Sequence, residues 1–160
     1  MLVEIKLAYN CTDKVKELFS EYTDMLVKSD NDFANYLQLQ DYDLELENLD
    51  KKYGLPKGRL YIATVEGDVA GCIALRNIDD KSCELKRLYV RPEFRGNQIG
   101  QMLIEQIISD ARDIGYKQIL LDTLPFLKSA IYIYEKLGFY QIRPYNDSPM
   151  KNSIYYRYDL

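Results

Sequence analysis

The sequence contains no histidine. That absence excludes Ser-His-Asp and Cys-His catalysis and any histidine-ligated metal site. Proton transfer is left to carboxylate, tyrosine, cysteine, lysine or water, and no metal is expected. Long apolar runs are also missing: no stretch of about eighteen apolar residues occurs, so no membrane span is expected. The first residues, MLVEIKLAYN, carry Glu4 and Lys6 inside their apolar run and show no secretory signal pattern. Cysteine is scarce. Cys11, Cys72 and Cys83 lack CxxC spacing and include an odd one. Cys72 and Cys83 have room to face each other on adjacent strands, but buried free thiols in a cytoplasmic protein are the favoured reading.

What is present fits one domain over residues 1–160, with no repeat, low-complexity tract or linker. The formal net charge of −4 argues against a nucleic-acid partner, and no recognition-helix pattern occurs. The local balance differs. Lys86, Arg87, Arg91 and Arg95 stand against only Glu84 and Glu93. A basic patch beside a helix N-terminus suits a compact polyanionic ligand.

Hydrophobic period divides the chain into elements. Val3, Ile5 and Leu7 alternate as a first strand over 3–8, and a helix follows to about Ser29, capped by Thr12 or Asp13. SDNDFANYLQLQ reads as irregular. A second helix over Tyr42–Tyr53 stops at Gly54. RLYIATV and VAGCIALR are strands joined by a hairpin at Glu66-Gly67-Asp68, and SCELKRLYV completes an antiparallel meander. A helix over Gln98–Ile114, the strand QILLDTL, a helix over 127–137, the strand FYQI, the polar turn PYNDSPMKNS and the strand IYYRYDL follow. The crossover helix after the meander requires parallel neighbours. Where those neighbours part, a cleft opens at the loop RGNQIG.

Two motifs resemble the GNAT superfamily of N-acetyltransferases. RLYVRPEFRGNQIGQML is similar to its acetyl-CoA signature, through Arg95, Gln98 and Gly100, and AIYIYEKLGF to a later segment with a tyrosine, Tyr134, four residues before Gly-Phe. GRLYIATVEGDVAGCIALR, CELKRLYV, LDTLP and PYNDSP…YDL are similar to a bacterial subgroup of small single-domain members, which implies no particular acceptor. The implied fold is an α/β (α+β) mixed sheet: a meander, then a parallel β4/β5 splay, with helices on both faces. The implied activity is transfer of an acetyl group from acetyl-CoA to a primary amine of a small molecule or amino acid, by direct attack in a ternary complex. A CoA-binding sensor or scaffold without turnover is the alternative. A nucleotide-phosphate site is disfavoured by the absence of GxxxxGK[ST]. The superfamily also implies a homodimer, with IYYRYDL offered as a sheet edge.

The resemblance assigns roles residue by residue. The backbone of Leu88, Tyr89 and Val90 would pair with the pantetheine amides. The N–H groups of Arg95, Gly96, Asn97, Gln98, Ile99 and Gly100 would hold the pyrophosphate. Val90 N–H would meet the developing oxyanion. Gln98 stands where the family's middle glycine belongs, and it is expected in the first turn of the helix with φ about −60°. Leu127 stands where many relatives place an asparagine that contacts CoA. Glu84 is the leading general base, directly or through water, and equally reads as a solvated cross-strand partner. Tyr134 is the expected acid for the leaving thiolate, and on its pattern with Ala130, Ile133 and Leu137 it equally reads as core. Asp122 reads as structural. Tyr36, Arg76 and Tyr145 are candidate acceptor contacts.

Overall fold

A computed structural model describes residues 1–29, 42–148 and 150–160. The irregular reading of SDNDFANYLQLQ, from residue 30 onward, and the Tyr36 expectation lie outside these residues. Among the described residues, seven strands form one sheet: β1 (Val3–Leu7), β2 (Arg59–Val65), β3 (Asp68–Asn77), β4 (Ser82–Val90), β5 (Gln118–Thr123), β6 (Tyr140–Ile142) and β7 (Ile154–Asp159). Their order is β1-β2-β3-β4-β5-β7-β6, antiparallel throughout except for the β4–β5 pair. The helices are α1 (Thr12–Ser29), α2 (Tyr42–Glu47), α3 (Leu49–Tyr53), α4 (Ile99–Ile114) and α5 (Lys128–Leu137). None is long and apolar enough to cross a membrane.

Alternation along the strands sends side chains to two cores. On one face Val15, Leu18 and Phe19 of α1 and Tyr53 of α3 pack on Leu60, Ile62 and Cys72. On the other, Leu103, Ile104 and Ile107 of α4 pack on Ala63, Ile73, Leu75 and Ile119. Each fully buried aliphatic side chain contributes about 1.5–3 kcal/mol. Cys72 and Cys83 are buried and free, one in each core, and so lie on opposite faces rather than facing one another.

Four local expectations are corrected. Thr12 and Asp13 lie inside α1 rather than capping it. The second helix is broken at Asn48, where φ is −133° and the side-chain amide donates to Leu44 O at 3.2 Å, a bond that competes with helix. The β2–β3 turn has two residues, Glu66 (φ 50°) and Gly67 (φ 86°), with Val65 opposite Asp68; two left-handed positions match the twist of a hairpin. Lastly, β7 pairs with β5 on one side and β6 on the other, so IYYRYDL is not an edge strand; β1 and β6 are the edges.

Strand β4 carries a bulge. Its register with β3 slips between Cys72 and Ala74, and Arg87 there has φ 60°. The extra residue inverts the alternation. Cys83 and Leu85 belong to the α4 core before it, whereas Leu88 and Val90 pack there after it. Arg87 is thereby turned toward α1, its guanidinium 5.9 Å from the Phe19 ring. Gly71 lies across from the strand's end, where a Cβ would stand 2.5 Å from Tyr89 O.

Candidate active site

Strands β4 and β5 pair only at Ser82–Gln118, Cys83–Ile119 and Glu84–Leu120. Beyond that point they diverge, because β4 continues to Val90 along β3 while β5 follows β7. The gap is a cleft of about 550 Å³, within the ~300–1,000 Å³ usual for ligand sites. Its wall includes Leu88, Tyr89 and Val90 of β4; Arg95, Gly96, Gln98, Ile99 and Gly100 at the start of α4; and Tyr134 of α5. Eight of the nine expected cofactor contacts therefore converge on it. Asn97 does not line it; its side-chain amide donates back to Phe94 O at 3.0 Å.

The β4 backbone is free to pair inside the gap. Val90 stands opposite Gly71, and Arg91 N–H donates to Ala70 O at 2.8 Å. Successive N–H groups of a strand point to opposite sides, so Val90 N–H, and Leu88 N–H before it, point into the splay.

At the mouth, the chain passes through the 3₁₀ turn Pro92–Phe94 into two left-handed residues, Gly96 (φ 85°) and Gln98 (φ 61°). The expectation for Gln98 is thus corrected. It precedes the helix instead of starting it, and its carbonyl accepts the first helical bond, from Met102 N–H at 3.0 Å. A non-glycine residue in this conformation costs about 1 kcal/mol. Gln98 places no side-chain cap on the helix, so the first N–H groups of α4 point into the mouth with the positive end of the helix dipole.

The basic patch is largely neutralised within the fold. Arg87 grips Glu45 with Nε at 3.0 Å and Nη2 at 2.9 Å. Arg91 bonds Glu21 at 2.7 Å and Glu17 at 3.1 Å. Lys86 Nζ lies 3.7 Å from Glu84. Arg95 instead donates from its Nε to Val90 O at 3.1 Å at the cleft rim, where Lys128 also lines the wall.

Tyr134 is 5% exposed, with its ring against Phe139 and Tyr156: it packs as core and also lines the cleft. Burial, with the nearby Tyr22 and Asp122, raises its pKa and keeps the phenol protonated.

Glu84 is 2% exposed and does not line the cleft. Its carboxylate accepts Arg76 Nε at 2.7 Å and Tyr145 Oη at 2.5 Å. Arg76 is its cross-strand partner in register. Burial would raise its pKa; the charges of Lys86 and Arg76, and the hydrogen bonds from Tyr145 and Arg76, outweigh that and hold the carboxyl below its usual range. The fold therefore gathers three residues singled out separately in the sequence, Arg76, Glu84 and Tyr145, and sets Lys86 between them and the cleft. Tyr22 and Lys128 escaped the sequence reading as cleft residues, and Lys86 was singled out only as part of the basic patch. Asp122, read as structural, also lines the wall. Only the bulge and the β4–β5 divergence expose these positions, and neither leaves a local sequence signal.

Known proteins with this architecture fix the class. The family model described as "Acetyltransferase (GNAT) family" matches residues 15–139, and the chain belongs to that family. It is an acetyltransferase. An uncharacterized N-acetyltransferase of Schizosaccharomyces pombe is 37% identical over 92% of this chain and 88% of its own, so the likeness is not confined to bacteria. The crystal structure of an acetyltransferase from Streptococcus agalactiae superposes with a TM-score of 0.80 at 29% identity, covering 99% of this chain and 98% of that one. A GNAT family acetyltransferase from Elizabethkingia anophelis with acetyl-CoA bound matches with a TM-score of 0.57 at 25% identity, over 71% of this chain and 82% of its own. The family model and the relatives named as N-acetyltransferases support an enzyme over a non-catalytic sensor.

Proposed function

We propose that the enzyme takes its acetyl group from acetyl-CoA and transfers it, in a ternary complex, to a primary amine of a small molecule or amino acid. One observation carries this reading: the uncapped start of α4, the unpaired N–H groups of β4 and the Tyr134 side chain line one cleft. The acetyl-CoA bound by the Elizabethkingia relative supports the choice of donor. Leu88 and Val90 pair with the pantetheine arm as a strand would. The N–H groups of residues 95–100, with Asn97 contributing through its backbone alone, receive the pyrophosphate, and Arg95 and Lys128 supply positive charge. Val90 N–H polarises the thioester carbonyl.

An ammonium acceptor must lose a proton before it attacks. Glu84 is the carboxylate that takes it, by way of water, since its oxygens are set back from the cleft. Tyr134, kept protonated by burial, gives its proton to the leaving thiolate. Arg76 and Tyr145 do not line the cleft; both are bonded to Glu84, and their part in this reading is to hold that carboxylate in place. The same reading takes the enzyme to be cytoplasmic and to pair as a homodimer by a surface other than the backbone edges of β7, which β5 and β6 occupy.

The test is acetyl-CoA turnover against a panel of small primary amines. Tyr134→Phe should lower kcat about 10²-fold while acetyl-CoA affinity stays within about twofold. Glu84→Gln should lower kcat/KM by a similar factor. Wild-type rates in both variants would contradict the assignment.

A further inference from the structure

Lys86 is a cleft-lining amine that no step above employs. It belongs to β4 two residues after Glu84, on the same side of the sheet, just before the bulge. Its side chain is 10% exposed, and it lines the cleft that also contains Tyr134 and Val90. It faces Glu84 at 3.7 Å, with Arg87, Lys52 and Asp122 as the other charged groups acting on it. A lysine in such a place differs from one at the surface. Burial lowers its pKa most, Glu84 and Asp122 oppose that, and Arg87 and Lys52 add to it, for a net value of about 8. At pH 7 about a tenth of it is then the free amine, the form that attacks a carbonyl, against well under a hundredth for an ordinary lysine.

Resting on the reading of the cleft as an acetyl-CoA site, we infer that Lys86 is itself an acetyl acceptor. Its neutral Nζ attacks the thioester carbonyl carbon; the C–N bond forms and the C–S bond breaks. The sulfur leaves as thiolate and receives a proton from Tyr134, while the proton shed by Nζ returns to the protein through water and Glu84. The products are Nε-acetyl-lysine at position 86 and CoA thiol, so charge and atoms balance without a further reactant. The modification replaces an ammonium facing Glu84 by a neutral amide and leaves that carboxylate with Arg76 and Tyr145. It also adds bulk where the acceptor amine approaches, so the modified enzyme turns over more slowly.

The experiment needs no knowledge of the natural acceptor. The full chain is incubated with acetyl-CoA from pH 7 to pH 9, with and without excess CoA, and lysine acetylation is mapped by peptide mass spectrometry. Acetyl-CoA binding to the same preparation is measured by calorimetry. Lys86 should be acetylated first, and excess CoA should suppress it, while exposed lysines such as Lys16 or Lys51 are indifferent to CoA. Its initial rate should rise about tenfold between pH 7 and pH 9 and then level off, whereas an ordinary lysine gains about a hundredfold over the same interval. Binding of acetyl-CoA with Lys86 modified no faster than exposed lysines, or without protection by CoA, overturns this inference and leaves the cleft reading standing. No binding at all overturns the cleft reading and this inference with it. Lys86→Arg keeps the charge beside Glu84 and should abolish the CoA-protected signal; a signal that persists there assigns it to another residue and also overturns the inference.

Discussion

At Gln98 the backbone turns left-handed without a glycine to make it easy. The fold accepts the strain because the loop is held on both sides: Asn97 is tied to Phe94, and the Gln98 carbonyl opens the helical ladder. A glutamine is equally at home in a first helical turn, so the one hint of this conformation was the glycine that the family places at that position. The conformation there is a property of the whole strand–loop–helix crossover. Gln98→Gly should therefore raise stability by up to about 1 kcal/mol, less the extra entropy of the unfolded glycine, as read from the urea midpoint. A loss of stability would mean that the side chain holds the loop by contacts that outweigh its backbone strain. Glu84 gives a similar lesson. Its place on an alternating strand was legible, whereas its donors, Arg76 and Tyr145, come from other segments.

Among the elements, periodicity located every strand and the faces of the long helices, because burial on one side imposes a repeat on the sequence. It failed where a single residue resets the phase. The bulge at Arg87 moves that side chain from an expected ligand patch into a buried pair with Glu45 of α2, joined by Lys52 and Tyr53 of α3. Burial opposes ionisation of Glu45, but Arg87 and Lys52 prevail and lower its pKa from 4.5 to about 2. A depressed folded-state pKa means stabilisation that is complete above about pH 4.5 and lost as pH falls toward 2, on the order of 3 kcal/mol in all. Glu45→Gln leaves the buried Arg87 facing no carboxylate charge and should cost about 3–5 kcal/mol at pH 7. The gap from wild type should shrink steadily between pH 5 and pH 2 in urea titrations. A gap independent of pH would refute the ion-pair account. The β3–β4 pair makes its own demand at Gly71. Gly71→Ala forces a Cβ against Tyr89 O and should destabilise by about 1–3 kcal/mol, while shifting the cleft wall.

For the molecule as a whole, the order of elements and the crossover after the meander were enough to anticipate a mixed sheet with one parallel pair, and the residues of the two motifs line the cleft beyond that pair. The charge reading did less well. A count of nearby arginines and lysines does not reveal that Glu17, Glu21 and Glu45, distant in the chain, are folded against them. The central claim therefore rests on backbone rather than on basic side chains: acetyl-CoA is held by the open N–H groups of β4 and the start of α4. Calorimetric titration with acetyl-CoA tests this most directly, comparing wild type with Gly96→Pro, a change that the φ of 85° at that position does not permit, with circular dichroism to confirm that the variant folds. The account predicts one site per chain with micromolar affinity in the wild type, lost in the folded variant. Equal binding by the two proteins, or none by the wild type, would contradict it.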